Sequence, residues 1–402
     1  MTIHSDTHLL KESASRLVIN VGIAALCRLV LNTARRFVYP FAPLLSRGLG
    51  VPLTAVTSLI ALNWATTIIA IFFGPITDRI GYRFMMILGV TLLALGMFTA
   101  YFLPIYVFLV VGLFLAGLGK SIFDPAVQSY ISERVPYRRR GMAIGFLEYS
   151  WAGSTLLGIP LIAILLDRYG WRSPFLLMGV LALLGIAALS FFLADSNRAT
   201  ARQTQKVNFK AAWQQVYKEK TSRGAIAFVF LLSVANDNLF VVYGAWLENT
   251  FSLSIVALGI GTATIGAAEL IGESMTASLA DRFGLKRSVM TGLSCCIIFY
   301  MALPLFGNTI LLALSGLFLI FLTFEFTIVT SVPLVTELLP ESRATMMACY
   351  LAAAGFGRVV GALIGGPVWL LGGIIATGFV SAIISSLALF SLMWGLQGWI
   401  EK

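Results

Sequence analysis

Charged side chains are scarce in this sequence. Asp, Glu, Lys and Arg make up only 11% of its 402 residues, whereas soluble domains carry about 25%. That scarcity excludes a water-soluble fold of this size. In place of charge, 58% of the residues are apolar, in runs of about 20 residues, each long enough to cross a hydrocarbon core of about 30 Å. The sequence therefore predicts an all-α polytopic membrane protein.

Metal-binding and nucleophilic residues are equally sparse. The only two histidines, His4 and His8, lie in the polar N-terminal segment. No metal-ligand spacing links the cysteines, and they form no extracellular pairing pattern. The chain has no Walker loop, zinc signature or nucleophile elbow. We therefore expect neither an enzyme nor an ATP-driven pump, and no metal site or cofactor. All four cysteines fall inside apolar runs: Cys27, Cys295, Cys296 and Cys349.

Basic residues are distributed unevenly along the chain. A twelve-span topology with both termini inside places 20 of the 28 Lys and Arg in cytoplasmic segments and 5 within spans. Only Arg47, Arg168 and Arg172 fall outside. This asymmetry follows the positive-inside rule. The net charge of +10 therefore reflects topology in a bacterial inner membrane with cytoplasmic termini, and we expect lipid contact without a nucleic-acid partner.

One long polar stretch divides the spans into two groups. Residues 195–222 are too polar to cross a membrane, so we predict an N-terminal six-helix bundle over 1–194, a cytoplasmic linker, and a C-terminal six-helix bundle over 223–402. The twelve predicted spans are 17–43, 54–77, 84–103, 105–131, 142–166, 173–194, 223–248, 255–280, 288–305, 309–338, 345–370 and 373–399.

The two groups of spans also resemble each other. With an offset of 204 residues, Asn32 falls on Asn236 and Tyr39 falls on Tyr243. Many secondary transporters are built from such internal repeats, with the substrate site near the membrane midplane between the repeats. The repeat therefore favours a transporter over a receptor or a structural membrane protein.

A short polar turn separates the second and third spans and reads Gly74-Pro-Ile-Thr-Asp78-Arg79-Ile-Gly81-Tyr82-Arg83. A second copy occupies 277–287. This turn resembles the signature loop of the major facilitator superfamily. The resemblance implies two pseudo-symmetric six-helix bundles that alternate access by rocking, with the loop acting as a cytoplasmic conformational latch. The expected latch residues are Gly74, Asp78, Arg79, Gly81, Arg83, Glu133, Arg139, Asp281 and Arg282.

Eleven charged residues lie within the predicted spans, five basic and six acidic. Each charge costs roughly 2.5–3.5 kcal/mol at the bilayer centre on insertion scales, so we expect each to face a cavity or a partner. Arg36 is expected to snorkel toward the outside, and Arg358 to be the counter-charge for the buried acids. The predicted cavity residues are Arg28, Asn32, Arg35, Tyr39, Trp151, Asn236, Asp237, Tyr243, Glu269, Glu325 and Arg358.

The fourth and fifth spans carry a candidate proton site. Lys120 and Asp124 are one helical turn apart, and Glu148 lies at nearly the same depth. A lysine between two carboxylates would couple their titration, so we predict proton coupling at Lys120, Asp124, Glu148 and Asp237. The alternative is a static ion-pair network. Drug-exporting members of the superfamily commonly have an arginine where this chain has Leu113.

The overall pattern is similar to that of bacterial twelve-span efflux permeases. It implies proton-coupled export of a small amphipathic compound, with the proton gradient as driving force and a functional monomer. Three arginines on the first helix leave open uptake or exchange of an organic anion, such as a siderophore, sugar or phosphorylated metabolite. A non-transporting sensor or a lipid scramblase on the same scaffold is the third possibility.

Overall fold

The computed structural model describes residues 14–70, 73–135, 137–193, 216–339 and 343–399. Within these ranges the chain is helical, with short turns and no strand. The helices are α1 Ala14–Arg36, α2 Ala42–Leu49, α3 Leu53–Ile69, α4 Phe73–Ile80, α5 Tyr82–Phe102, α6 Tyr106–Arg134, α7 Tyr137–Gly153, α8 Ile159–Tyr169, α9 Ser173–Phe192, α10 Lys220–Phe240, α11 Tyr243–Phe251, α12 Ile255–Met275, α13 Asp281–Phe283, α14 Leu285–Ala302, α15 Ile310–Leu338 and α16 Arg343–Gly395.

The described helices account for twelve membrane crossings. Ten are long and apolar enough to cross on their own, and α3, which meets the same criteria when α2 is added across a bend of 115°, is the eleventh. Helix α16 has 53 residues and would extend about 80 Å at 1.5 Å per residue, which is far more than one crossing needs. Its backbone leaves the helical region at Gly372 and Gly373, which makes it two spans. The twelve-span prediction is confirmed.

The first span is broken, although the sequence predicted a continuous helix over 17–43. Helix α1 ends at Arg36 and α2 begins at Ala42. Pro40 and Pro43 explain the break, because proline cannot donate a backbone hydrogen bond inside a helix. The seventh span breaks at the matching place, between Phe240 and Tyr243. The two halves therefore share the position of this helix break, in addition to the residues that recur at the offset of 204.

The predicted tight turns before the third and ninth spans are present in both halves. Gly81 has φ +106° and Gly284 has φ +81°, and each immediately precedes a helix. Such positive φ values are readily available to glycine and strained for other residues. The two glycines are 203 residues apart and occupy equivalent places in the two copies of the polar turn, so both copies keep the same backbone conformation.

Small residues hold the helices of each half together. In the N-terminal half, a Cβ atom built on Gly96 would meet the carbonyl oxygen of Gly112, and the reverse also holds, so α5 and α6 touch backbone to backbone. Helix α10 packs against α16 through Gly361, where a Cβ would lie 2.6 Å from the carbonyl oxygen of Val234. Close approach at small residues is the usual packing mode of membrane helices.

The two halves meet along two helix pairs. Helix α3 packs against α16, and α8 with its preceding turn packs against α12. At the end that the charge pattern predicts to be external, Arg47 pairs with Glu248 at 2.6 Å, and a Cβ on Gly244 would collide with Pro40. This end is therefore closed by direct contact. Most of the predicted linker, 195–215, lies outside the described residues.

Candidate functional site

The centre of the molecule contains an ion pair that joins the halves. Arg36 of α1 donates from Nη2 to Oε1 of Glu269 of α12 at 2.5 Å, and the two side chains are only 1% and 4% exposed. The guanidinium lies 4.2 Å from the ring centroid of Trp151 and 5.5 Å from that of Phe240. The expectation that Arg36 snorkels outward was wrong, because a carboxylate and two aromatic faces compensate its buried charge.

A second cross-half contact is centred on Tyr39. Its hydroxyl donates to Oδ1 of Asp237 at 2.9 Å and accepts from Nε1 of Trp64 at 2.5 Å. Arg358 lies 3.3 Å from the other oxygen of Asp237 and 4.5 Å from the Trp64 ring centroid. Arg358 is thus the counter-charge of Asp237. The prediction that Arg358 is also the counter-charge of Glu269 was wrong, because Arg36 pairs with that carboxylate.

The predicted proton site forms a cluster on the N-terminal half. Arg28 lies between two carboxylates, 3.1 Å from Asp124 and 3.0 Å from Glu148. Lys120 contacts Asp124 at 2.7 Å. The base between the two acids is therefore Arg28, and the prediction that Lys120 takes this place was wrong. Lys120 sits one turn from Asp124 on the same helix and pairs with that neighbour, whereas the fork of Arg28 reaches both acids.

Exposure differs among the members of this cluster. Arg28 and Lys120 have 9% and 6% of their side chains exposed, against 26% for Asp124 and 45% for Glu148. The carboxylates therefore face accessible space while the bases lie behind them. Two bases and two acids leave the cluster without net charge.

Arg35 is held by amide and hydroxyl oxygens. Its Nε donates to Oδ1 of Asn63 at 2.7 Å, and Nη2 lies 3.4 Å from Oγ1 of Thr66. The same Asn63 donates to the carbonyl of Leu113 at 2.6 Å. Asn63 thus links the guanidinium of Arg35 to Leu113, where the resemblance noted above implies an arginine in drug-exporting members. The sequence contained no signal for this, because Asn63 is one polar residue in an apolar run.

The repeated asparagines and tyrosine line the same interior. Asn32 donates to Ser150 at 3.1 Å, and Tyr243 shares a hydrogen bond of 3.1 Å with Thr262. The Oδ1 atoms of Asn32 and Asn236 are buried without a hydrogen-bond partner among the described residues. These two amide oxygens, related by the repeat, can accept hydrogen bonds from a ligand or water.

Two acids stand apart from the pairs. Glu325 is only 8% exposed, and neither it nor Glu273 has an ion pair or hydrogen bond within the described part of the chain. Glu325 was predicted to line the cavity, whereas Glu273 was predicted only to be one of the charged residues within the spans. Two features of the sequence could have identified Glu273 as a site residue: the acids within the spans outnumber the bases, and Glu273 lies one helical turn from Glu269.

The latch residues are only partly described. Gly74 lies in α4 and Gly81 forms the turn after it. Arg83 donates to the carbonyl of Ser190 at 2.5 Å, and Glu133 lies 3.7 Å from Arg134. Arg282 is exposed in α13. The latch remains a prediction, since four of its side chains lie outside the described residues: Asp78, Arg79, Arg139 and Asp281.

Twelve spans, two repeated halves and charges buried between them define a membrane transport protein. The sequence profile described as Major Facilitator Superfamily matches residues 24–321 and also residues 225–398. The chain belongs to the major facilitator superfamily, and it is a multi-pass membrane transporter, not an enzyme. Its ligand is accordingly a small molecule, and its surroundings are a lipid bilayer.

Several characterised and uncharacterised relatives are similar over most of their length. An uncharacterised MFS-type transporter, YceJ of Bacillus subtilis, is 23% identical over 310 residues, 77% of this chain and 78% of the relative. A multi-drug resistance efflux pump PmrA homolog of Lactococcus lactis is 24% identical over 341 residues, 82% and 83% of the two chains. The relatives thus include efflux-type transporters at low identity.

Solved structures share the fold. A bacterial homolog of the human lysosomal transporter Spinster, in an inward-facing and unoccupied conformation, superposes with a TM-score of 0.78 at 15% identity, covering 97% of this chain and all of that one. A point mutant of the nucleoside transporter NupG gives a TM-score of 0.79 at 12% identity over 95% and 100% of the two chains. The major facilitator fold is confirmed.

Proposed function

We propose that this protein is a secondary active transporter that exports a small amphipathic compound in exchange for protons, by alternating access. It works as a monomer in a bacterial inner membrane with both termini in the cytoplasm. The proton gradient drives it, and no cofactor takes part. The observation that carries the proposal is the pair between Arg36 and Glu269, a buried contact between the two halves that must break whenever the halves separate at this level.

The contacts between the halves support one closed end. Arg36 with Glu269, Tyr39 with Asp237, and the Arg47–Glu248 pair nearer the predicted external end all link spans of opposite halves. Rocking of the bundles would exchange these contacts for others at the opposite end. Two discrete packings of rigid elements are the physical basis of such a switch.

Glu148 is the carboxylate best suited to exchange a proton. It shares a single base, Arg28, with Asp124, and 45% of its side chain is exposed. Asp124 has a second partner in Lys120, so Glu148 is the less compensated of the two acids in this cluster. Asp237 is the second candidate, since it lies at the contact between the halves and its hydrogen bond to Tyr39 breaks when they part.

Aromatic rings and the relatives support export of an amphipathic compound. The rings of Trp64 and Trp151 lie 6.4 Å apart, edge to face, beside the buried charges. Such rings accept the apolar part of a ligand while polar groups fix its orientation. The resemblance to a multi-drug resistance efflux pump homolog points in the same direction.

One observation favours uptake or exchange of an organic anion as a second candidate. Arg35 is buried and binds Asn63 and Thr66 instead of a carboxylate, which leaves its charge available to an anionic group. The other three arginines near the centre already pair with acids. This makes an anion the weaker candidate, and a sensor or scramblase role has no separate structural support.

Proton movement in proteoliposomes under an imposed pH gradient tests the proposal. Cationic drugs, lysolipids, siderophores and sugar phosphates would be added in turn to the full-length protein. We expect one amphipathic compound to collapse the gradient in wild type, and Glu148→Gln to lose that response. Glu219→Gln, at an exposed position before α10, serves as the matched control. A labelled solute that equilibrates without moving protons would contradict proton coupling.

A further inference from the structure

Both interior acids of the N-terminal half have basic partners, whereas two of the four interior acids of the C-terminal half have none among the described residues. In the N-terminal half, Arg28 and Lys120 offset Asp124 and Glu148. On the C-terminal half, four acids lie within the spans, and two of them have a basic partner. Asp237 pairs with Arg358 and Glu269 pairs with Arg36. Glu273 and Glu325 have no ion pair among the described residues.

These two acids belong to one site. Helices α12 and α15 touch at Gly272, where a built Cβ would lie 3.0 Å from Cβ of Glu325 and 2.9 Å from the carbonyl oxygen of Leu322. Glu269 and Glu273 flank Gly272 and share one face of α12, because they are four residues apart. The same face of α12 carries Glu269, the partner of Arg36, and Arg358 lies 5.9 Å from the ring centroid of Phe324, the residue before Glu325.

Glu325 is the independent sign of a ligand. Its residue is only 8% exposed, and its carboxyl group has no hydrogen bond and no ion pair within the described part of the chain. A buried unpaired carboxylate costs several kcal/mol, so the group must carry either a proton or a cation. Glu273 is half-buried and provides the more open side of the site.

Arg36 illustrates how this interior holds a cation. Its guanidinium contacts the carboxylate of Glu269 at 2.5 Å and the faces of Trp151 and Phe240 at 4.2 Å and 5.5 Å. Carboxylates combined with aromatic faces are the usual receptor for organic cations. The chain thus fills one such position with its own side chain and leaves the adjacent carboxylates for another cation.

We propose that Glu325 and Glu273 bind the positively charged group of an organic cation, and that this cation is the transported substrate. The inference rests on the proposed function, which it narrows from an amphipathic compound to an amphipathic cation. Protons and the cation compete for the same two carboxylates, in a site also faced by Glu269, Arg36 and Arg358. Exchange of one for the other leaves the charge of the interior unchanged.

A pair of ions with the same shape and opposite charge tests this inference. Binding of radiolabelled tetraphenylphosphonium and tetraphenylborate to the purified full-length protein would be measured by equilibrium dialysis. We expect the cation to bind and the anion to bind at least tenfold more weakly. Glu325→Gln and Glu273→Gln should each weaken cation binding tenfold or more, which is about 1.4 kcal/mol. Glu219→Gln should leave it unchanged.

Two outcomes overturn the inference: equal binding of both ions, or cation affinity in the doubly substituted protein within twofold of wild type. Monodisperse elution and an unchanged melting temperature establish that a variant is folded. If a variant unfolds, proton release from the wild type decides the matter, since cation addition to an unbuffered solution must release protons. Binding and transport of the cation without proton movement would retain this inference and overturn the proton coupling of the proposed function.

Discussion

The pair between Arg36 and Glu269 offers a direct test of how the halves are held together. In the Glu269→Gln variant, the guanidinium of Arg36 has no carboxylate partner. While the halves are in contact it is buried without compensation, but once they separate, water can hydrate it. Removing one member of a buried ion pair costs about 3–5 kcal/mol, and the pair is buried on both sides, at 1% and 4% exposure. The substitution therefore destabilises the closed arrangement specifically.

We use the lower figure, because Glu273 lies one helical turn from Glu269 on the same face of α12 and can compensate the charge of Arg36 in part. About 3 kcal/mol changes a conformational equilibrium by roughly 100-fold. A protein with one molecule in a hundred open at this end would become open in about half of its molecules.

Energy transfer between two dyes measures this equilibrium. The dyes would be attached at Arg168→Cys and Asn308→Cys, exposed positions at helix ends of opposite halves, on the side closed by Arg47 and Glu248, with the native cysteines replaced by serine. We expect Glu269→Gln to populate a second, longer distance. Glu248→Gln is the matched control, because the Arg47 side chain is 58% exposed and surface pairs contribute about 0–1 kcal/mol.

Removing both members should largely reverse the effect. In a variant with Arg36→Met and Glu269→Gln neither member of the pair is charged, so no guanidinium is left buried without its carboxylate. We expect this variant to return to the short distance. The reasoning is refuted if Glu269→Gln gives the same distance distribution as Glu248→Gln, or if the double variant opens as much as the single one.

Two further substitutions test the second cross-half contact and the packing within one half. Tyr39→Phe removes the hydroxyl that donates to Asp237 and should cost about 1–3 kcal/mol, so the same dyes should report a smaller opening; an unchanged distance distribution would contradict this. Gly96→Leu should lower the melting temperature in detergent, since its side chain collides with the Gly112 carbonyl and overpacking costs about 1–3 kcal/mol. Gly145→Leu, with nothing within 4 Å, should melt like wild type, and equal melting of both variants would count against close packing of α5 and α6.

The amino-acid sequence by itself determined the spans, the repeat and the set of interior charges. Apolar run length fixes where a helix can cross, because unpaired backbone groups are too costly in lipid. Gly81 marked a tight turn, since a loop of few residues needs a positive φ there, and the structure shows the same conformation at Gly284. Asp237, Glu325 and Arg358 were identifiable as interior residues because charge is rare in such runs.

Only the tertiary structure decided which charges pair. Arg36 and Glu269 are 233 positions apart, and their contact depends on the break after α1 and on the docking of the other half. Arg28, rather than Lys120, took the place between the two acids because it enters from another helix. Helix rotation and the fit between bundles arise from all contacts together, so no local pattern encodes them. The same pairing leaves Glu273 and Glu325 without an ion pair among the described residues.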